Sequence, residues 1–220
     1  MSSRLVDQAN LPQVGEAVVV EDLVCRGYVH RLSIALQVRH PHSAFRFFNH
    51  AEGGATSRTV RSIVARTADR HFDIAVVEVG INDALRVAQR RDAEAVSLPE
   101  FAGNYSTILE HLNERADTLI CIGSPPVGWA PDGEDLDVVT LNREIARYNA
   151  QAAAVAERVG ARFVDVGPGF VRTAELLTCW SPTSPSRVTA HSLWSDGLHP
   201  SELGVELIAS LAMRVWPEVK

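Results

Sequence analysis

Short apolar runs alternating with stretches of helical period dominate this chain. Residues 17–20 (Ala-Val-Val-Val) are wholly apolar and largely β-branched, as expected of a strand buried on both faces. Gly27 then opens an amphipathic helix through Val29, Leu32, Ile34 and Leu36. Residues 44–49 (Ala-Phe-Arg-Phe-Phe-Asn) read as a second strand, followed by a glycine-bearing loop. Thr56 or Ser57 can cap a helix running to about Arg70. Residues 73–79 are the third strand, stopped by Gly80-Ile81-Asn82-Asp83. A less regular stretch leads to Pro99, and residues 100–115 read as a helix. Residues 117–123 form the fourth strand, residues 138–159 a long helix with Leu141, Ile145, Tyr148 and Ala152 along one side, and residues 161–166 the fifth strand. Residues 167–193 read as a long loop over one rim. Pro200 fits a first helical turn, and residues 202–214 make the last helix.

Five apolar strands alternating with helices predict an α/β fold with a five-stranded parallel sheet. Right-handed crossovers place helices on both faces, giving three layers. With 220 residues and no internal repeat or linker, residues 1–220 are expected to form one domain. In such sheets ligands bind beyond the C-terminal strand ends. Polar or glycine-rich turns stand at three of them: Glu21-Asp22, Gly53-Gly54 and Asn82-Asp83. The segment Ser195-Asp196-Gly197-Leu198-His199-Pro200 precedes the last helix and can fold over the same rim. A carboxylate three residues before an imidazole can accept its hydrogen bond, fix its tautomer and leave the other ring nitrogen as a base.

Composition narrows the partners. The net charge of −6 leaves no basic footprint for nucleic acid. No apolar stretch is long enough for a bilayer, and the N-terminus does not read as a signal peptide, so a cytoplasmic protein with no membrane partner is expected. Cys25, Cys121 and Cys179 are widely spaced, and the histidines at 30, 40, 42, 50, 71, 111 and 191 have no ligand-like pairing with carboxylates or cysteines. Neither a metal nor another cofactor is expected. Trp129, Trp180 and Trp194 fall in rim loops, read mainly as packing, with Trp194 the best placed to line a pocket.

These turns resemble the blocks of the SGNH (GDSL-type) hydrolase family of esterases, lipases and thioesterases. The family's first block is similar to Val18-Val19-Val20-Glu21-Asp22-Leu23 with Gly27. Block two is similar to Asn49 with Gly53-Gly54-Ala55-Thr56, block three to Gly80-Ile81-Asn82-Asp83, and block five to Asp196 through Pro200. The resemblance implies a flavodoxin-like sheet and a small-molecule substrate, an acyl or carbonyl compound. It also implies an oxyanion hole from the Asn82 side chain and the Gly54 backbone amide, a general base at His199, and an orienting carboxylate at Asp196. One position departs sharply: the family's nucleophilic Ser falls on Leu23, and a preceding Gly falls on Glu21. Leucine has no lone pair, so the acyl-enzyme route is closed at that position. Cys25 is expected to face a different direction on the turn. Glu21 could add a second acid or base or be a merely paired or solvated carboxylate, and Asp22 is expected to support its loop. Two functions stay open: an enzyme working without a covalent intermediate (by water-activated hydrolysis, elimination, isomerisation or cyclisation), or a silent relative that binds a ligand or protein partner.

Overall fold

The computed structural model describes residues 27–66, 70–91, 93–185, 187 and 192–218. The expected first strand, together with Glu21, Asp22, Leu23, Cys25 and His191, lies outside the described residues. In chain order the elements are α1 (Tyr28–Arg39), α2 (Ser57–Arg66), β1 (Phe72–Glu78), α3 (Ile81–Ala88), α4 (Leu98–Asn113), β2 (Ala116–Ile122), α5 (Val138–Arg158), β3 (Arg162–Val164), α6 (Gly167–Thr178) and α7 (Glu202–Met213).

Among the described residues the sheet has three strands, ordered β1-β2-β3 and all parallel, with Glu78 opposite Ile122 at its C-terminal edge. Alternation along the strands divides two cores. Ala75, Val77, Leu119, Cys121 and Phe163 face a layer carrying Ala84, Phe101, Ile108, Leu141 and Val155 from α3, α4 and α5. Ile74, Val76, Ile120, Ile122 and Val164 face the other layer, with Leu32, Leu36, Phe170, Ile208 and Ala212 from α1, α6 and α7. The result is a three-layer α/β/α fold, as the apolar runs predict. The side of α5 drawn from its spacing is the buried one, since Leu141, Ile145, Tyr148 and Ala152 all lie in the core.

Several expectations need correction. Residues 44–49 form no regular strand: a lone bridge falls at Arg46, and Phe45 and Phe47 instead pack as side chains on the second core. Residues 81–88, expected as an irregular stretch, are α3, because Ala84 is fully enclosed and the helix packs against α5. Residues 167–178, expected as loop, are α6. Its Gly-Pro-Gly start has the composition of a turn, yet Pro168 suits a first helical turn, and Gly169 lets the backbone approach Leu211, whose Cδ1 would stand 2.8 Å from an added Cβ. In α1, Ile34 faces outward, and the buried positions are Leu32, Ser33 and Leu36. Helix α2 is described through Arg66, and residues 67–69 lie outside the described residues. Pro200 lies one residue ahead of the N-cap Ser201, where it bridges to Trp194, instead of inside the helix.

Candidate active site

The loop before α7 is a closed hairpin. Trp194 bridges Pro200, the Ser195 N–H donates to the His199 carbonyl at 2.9 Å, and Ser201 N–H donates to the Leu193 carbonyl at 2.8 Å. At its tip the Asp196 carboxylate organises everything. Oδ1 accepts the backbone N–H groups of Leu198 (2.9 Å) and His199 (2.7 Å), and Oδ2 lies 2.7 Å from His199 Nδ1. An ionised carboxylate only accepts, so Nδ1 carries the proton and Nε2 is left as the basic nitrogen. Partial burial pushes the Asp196 carboxyl upward, but the hydrogen bonds from the His199 backbone and ring and from Leu198 outweigh it, and its pKa falls below the ordinary value. The ring stays open to solvent, with the His199 side chain 72% exposed.

The segment after β2 carries this hairpin. The Gly128 N–H donates to the Gly197 carbonyl at 2.7 Å. Gly197 sits at φ +94°, where glycine alone is at ease, and a Cβ there would fall 2.4 Å from the Trp129 carbonyl oxygen. Trp180 Nε1 donates to the Gly128 carbonyl at 2.6 Å, and Trp194 Nε1 to the Pro126 carbonyl at 2.7 Å. The Trp180 and Trp194 rings lie 4.6 Å apart. Asn142 bonds both the N–H and carbonyl of Val127, and Asn149 does the same for Ser124. Two amide side chains thus replace the ladder partners this non-strand backbone lacks. Trp194, read mainly as packing and as the best placed of the three tryptophans to line a pocket, is 3% exposed and braces the hairpin from within.

The second arm leaves the end of β1. Gly80, at φ +132°, turns the chain into α3, whose first turn holds Asn82. Asn82 Nδ2 donates to the Ala55 carbonyl at 2.9 Å. Because an amide NH2 offers two hydrogens, one donor is left without a partner among the described residues. Ala55 closes a turn by donating its N–H to the Glu52 carbonyl at 3.2 Å, with Gly54 at φ +77°, the position where this turn type calls for glycine. The Gly54 amide makes no hydrogen bond among the described residues. Next to Asn82, the buried carboxylate of Asp83 accepts the N–H and hydroxyl of Ser57.

Sequence patterning singles out neither Ser57 as a partner nor Asp83 beyond its turn. Their only local signal is a short polar residue at a helix start, and the pairing spans 26 residues. A further surprise is Glu78, at the end of β1, where burial pushes the carboxyl up to about 7 against the opposing pull of the Tyr28 hydroxyl. His71 lies 3.0 Å from the Asp117 carboxylate on the exposed edge, a two-residue contact and not a ligand cluster.

The structure therefore joins Asp196 to His199, and Asn82 to the loop of Gly54. The Asn82 arm leaves β1 through Gly80, and the dyad hairpin, which precedes α7, is seated through Gly128 on the segment that leaves the neighbouring parallel strand β2. A cavity of about 400 Å³ between α3, α4 and α5, lined among others by Leu98, Arg147 and Tyr148, includes none of these four residues.

A model of the GDSL-like lipase/acylhydrolase family matches residues 21–207. The chain belongs to that family. Among solved structures, this GDSL-like protein is similar to LAE5, an α/β hydrolase enzyme from the metagenome of Lake Arreo, Spain. That match has 22% identity and a TM-score of 0.69 over 94% of this chain and 88% of the other. It is also similar to a catalytic mutant of Axe2, an acetylxylan esterase from Geobacillus stearothermophilus. There the identity is 19% and the TM-score 0.70, over 92% and 88% of the two chains. At these identities the likeness shows the SGNH hydrolase-like fold. No curated protein matches the chain. No helix among the described residues is long and apolar enough to cross a membrane.

Proposed function

We propose that this GDSL-like protein hydrolyses a small acyl ester without a covalent intermediate, using His199 as general base and Asp196 as its orienting carboxylate. His199 Nε2 takes a proton from water, and the water oxygen adds to the carbonyl carbon. The negative charge that develops on the carbonyl oxygen meets the Gly54 amide and the second N–H of Asn82. Collapse expels the alkoxide, which recovers the proton from the imidazolium. On the resemblance of the first block, Leu23 takes the place of the family's nucleophile, which is why the attack is assigned to water. The observation carrying this reading is the pair of 2.7 Å bonds that tie the His199 backbone and ring to one carboxylate. Acyl-ester chemistry is favoured over elimination, isomerisation or cyclisation by the family and by the acetylxylan esterase that shares the fold.

The test is turnover of p-nitrophenyl acetate and of acetylated xylo-oligosaccharides by the unaltered protein, His199→Ala and Leu23→Ser. Turnover by the unaltered protein that collapses in His199→Ala is the expected result. Equal rates for the two would overturn the mechanism. Silence in the unaltered protein with esterase activity in Leu23→Ser would identify a ligand-binding relative whose hole and base are assembled but unused.

A further inference from the structure

We infer that Asp83 is a positioning residue, which through Ser57 locks the Gly54 loop and the Asn82 amide into one donor site; this rests on the hydrolytic reading above. Asp83 and Ser57 are both fully enclosed. The Ser57 N–H lies 3.1 and 2.9 Å from the two carboxylate oxygens, and its hydroxyl donates to Oδ1 at 2.6 Å. Ser57 Oγ in turn accepts from Asn104 Nδ2 at 3.1 Å, and Asn104 Oδ1 accepts from Arg61 at 2.8 Å. The chain of bonds runs Arg61, Asn104, Ser57, Asp83 and connects α2, α3 and α4 around a single carboxylate. With no solvent access, the Ser57 hydroxyl serves this network and not a substrate.

The geometry explains what the network holds. Asn82 reaches the loop through one hydrogen bond, to the Ala55 carbonyl, and a single bond leaves a hinge. Asp83, the next residue, grips Ser57, two positions beyond Ala55. Residues 82–83 and 55–57 are therefore clamped at two points, which fixes their relative orientation. Gly54 is exposed, and among the described residues its turn is closed by the 3.2 Å bond from Ala55 to Glu52 and tied to α2 by the exposed Glu52–Arg66 ion pair at 3.7 Å, so the buried clamp is its firmest restraint. Burying a carboxylate away from a paired cation is costly. Burial does push the Asp83 carboxyl above its ordinary value, and the Ser57 bonds pull it back. Such a group is well suited to orientation, because both of its oxygens are committed.

Backbone ¹⁵N relaxation on the whole chain tests this without needing turnover. In the unaltered protein the Gly54 and Ala55 amides should have order parameters near 0.85, falling below about 0.6 in Asp83→Asn. Amides of β2 should stay rigid. Ser57→Ala, which keeps the backbone donor, should give a smaller drop, and Ser57→Thr, which keeps both donors, should restore the native values. Gly54 and Ala55 unchanged in Asp83→Asn, or loosening matched across β2 and α5, would overturn the inference. Where esterase turnover is present, kcat in Asp83→Asn should fall roughly ten- to a hundredfold with KM held; an unchanged kcat beside a loosened loop also overturns it. Absence of turnover in every variant counts against the hydrolytic reading and leaves the relaxation data to decide this one.

Discussion

Gly197 lies against Trp129 so closely that a methyl group on its α-carbon would fall 2.4 Å from the Trp129 carbonyl oxygen and 2.6 Å from the indole. The contact seats the Asp196–His199 hairpin on the segment that follows β2. Gly197→Ala adds an impossible contact to a left-handed backbone, which costs roughly 1–3 kcal/mol for the conformation alone. The expected outcome is a melting temperature lower by several degrees and a reduced turnover of esters, read by calorimetry and a chromogenic assay.

His199→Ala should lower ester turnover by roughly 10²- to 10⁴-fold, the usual contribution of a positioned proton-transfer group. Asp196→Asn should also lower it, because the amide can no longer hold the ring with its proton on Nδ1. His199→Ala should keep the native melting temperature to within about 2 °C, since the ring is largely exposed. Steady-state rates and thermal melts on the same samples check both halves.

Trp180→Phe removes the indole donor to the Gly128 carbonyl while retaining an aromatic ring in a fully enclosed site. An orphaned buried carbonyl costs roughly 1–3 kcal/mol. Because Gly128 also donates to Gly197, the loss should reach the dyad. Denaturant titration should show a lower midpoint, and esterase rates should fall further than in a Trp216→Phe control. The Trp216 ring lies in the same core, but its Nε1 has no hydrogen-bond partner among the described residues.

Glu78 gives a prediction in pH. Its folded-state pKa of about 7 is above the ordinary 4.5, so the folded protein keeps a proton that the unfolded chain has released. Stability is therefore fully present below about 4.5 and declines as pH rises to about 7, by at most about 3 kcal/mol. Glu78→Gln should flatten that part of the profile, measured as urea midpoints across the range. An unchanged slope would show that the carboxylate is ionised at little cost.

The layered α/β fold, the long α5 with its inward side, and the local dyad are all legible in the order of the amino acids. They follow from periodicity and from contacts within a few residues: Asp196 needs only a glycine and a leucine to reach His199. Packing in three dimensions set the remainder. Whether residues 167–178 coil or wind was settled by Phe170 and Ala174 meeting the sheet, and the aromatic run at residues 44–49 was drawn into the core as side chains without forming a ladder. The grip of Asp83 on Ser57 and the seating of Gly197 on Trp129 each join residues far apart in sequence, and the partial burial of Glu78 beside Tyr28 does the same. No local pattern encodes such pairings, because their energies come from desolvation and close approach that exist only once the layers have packed.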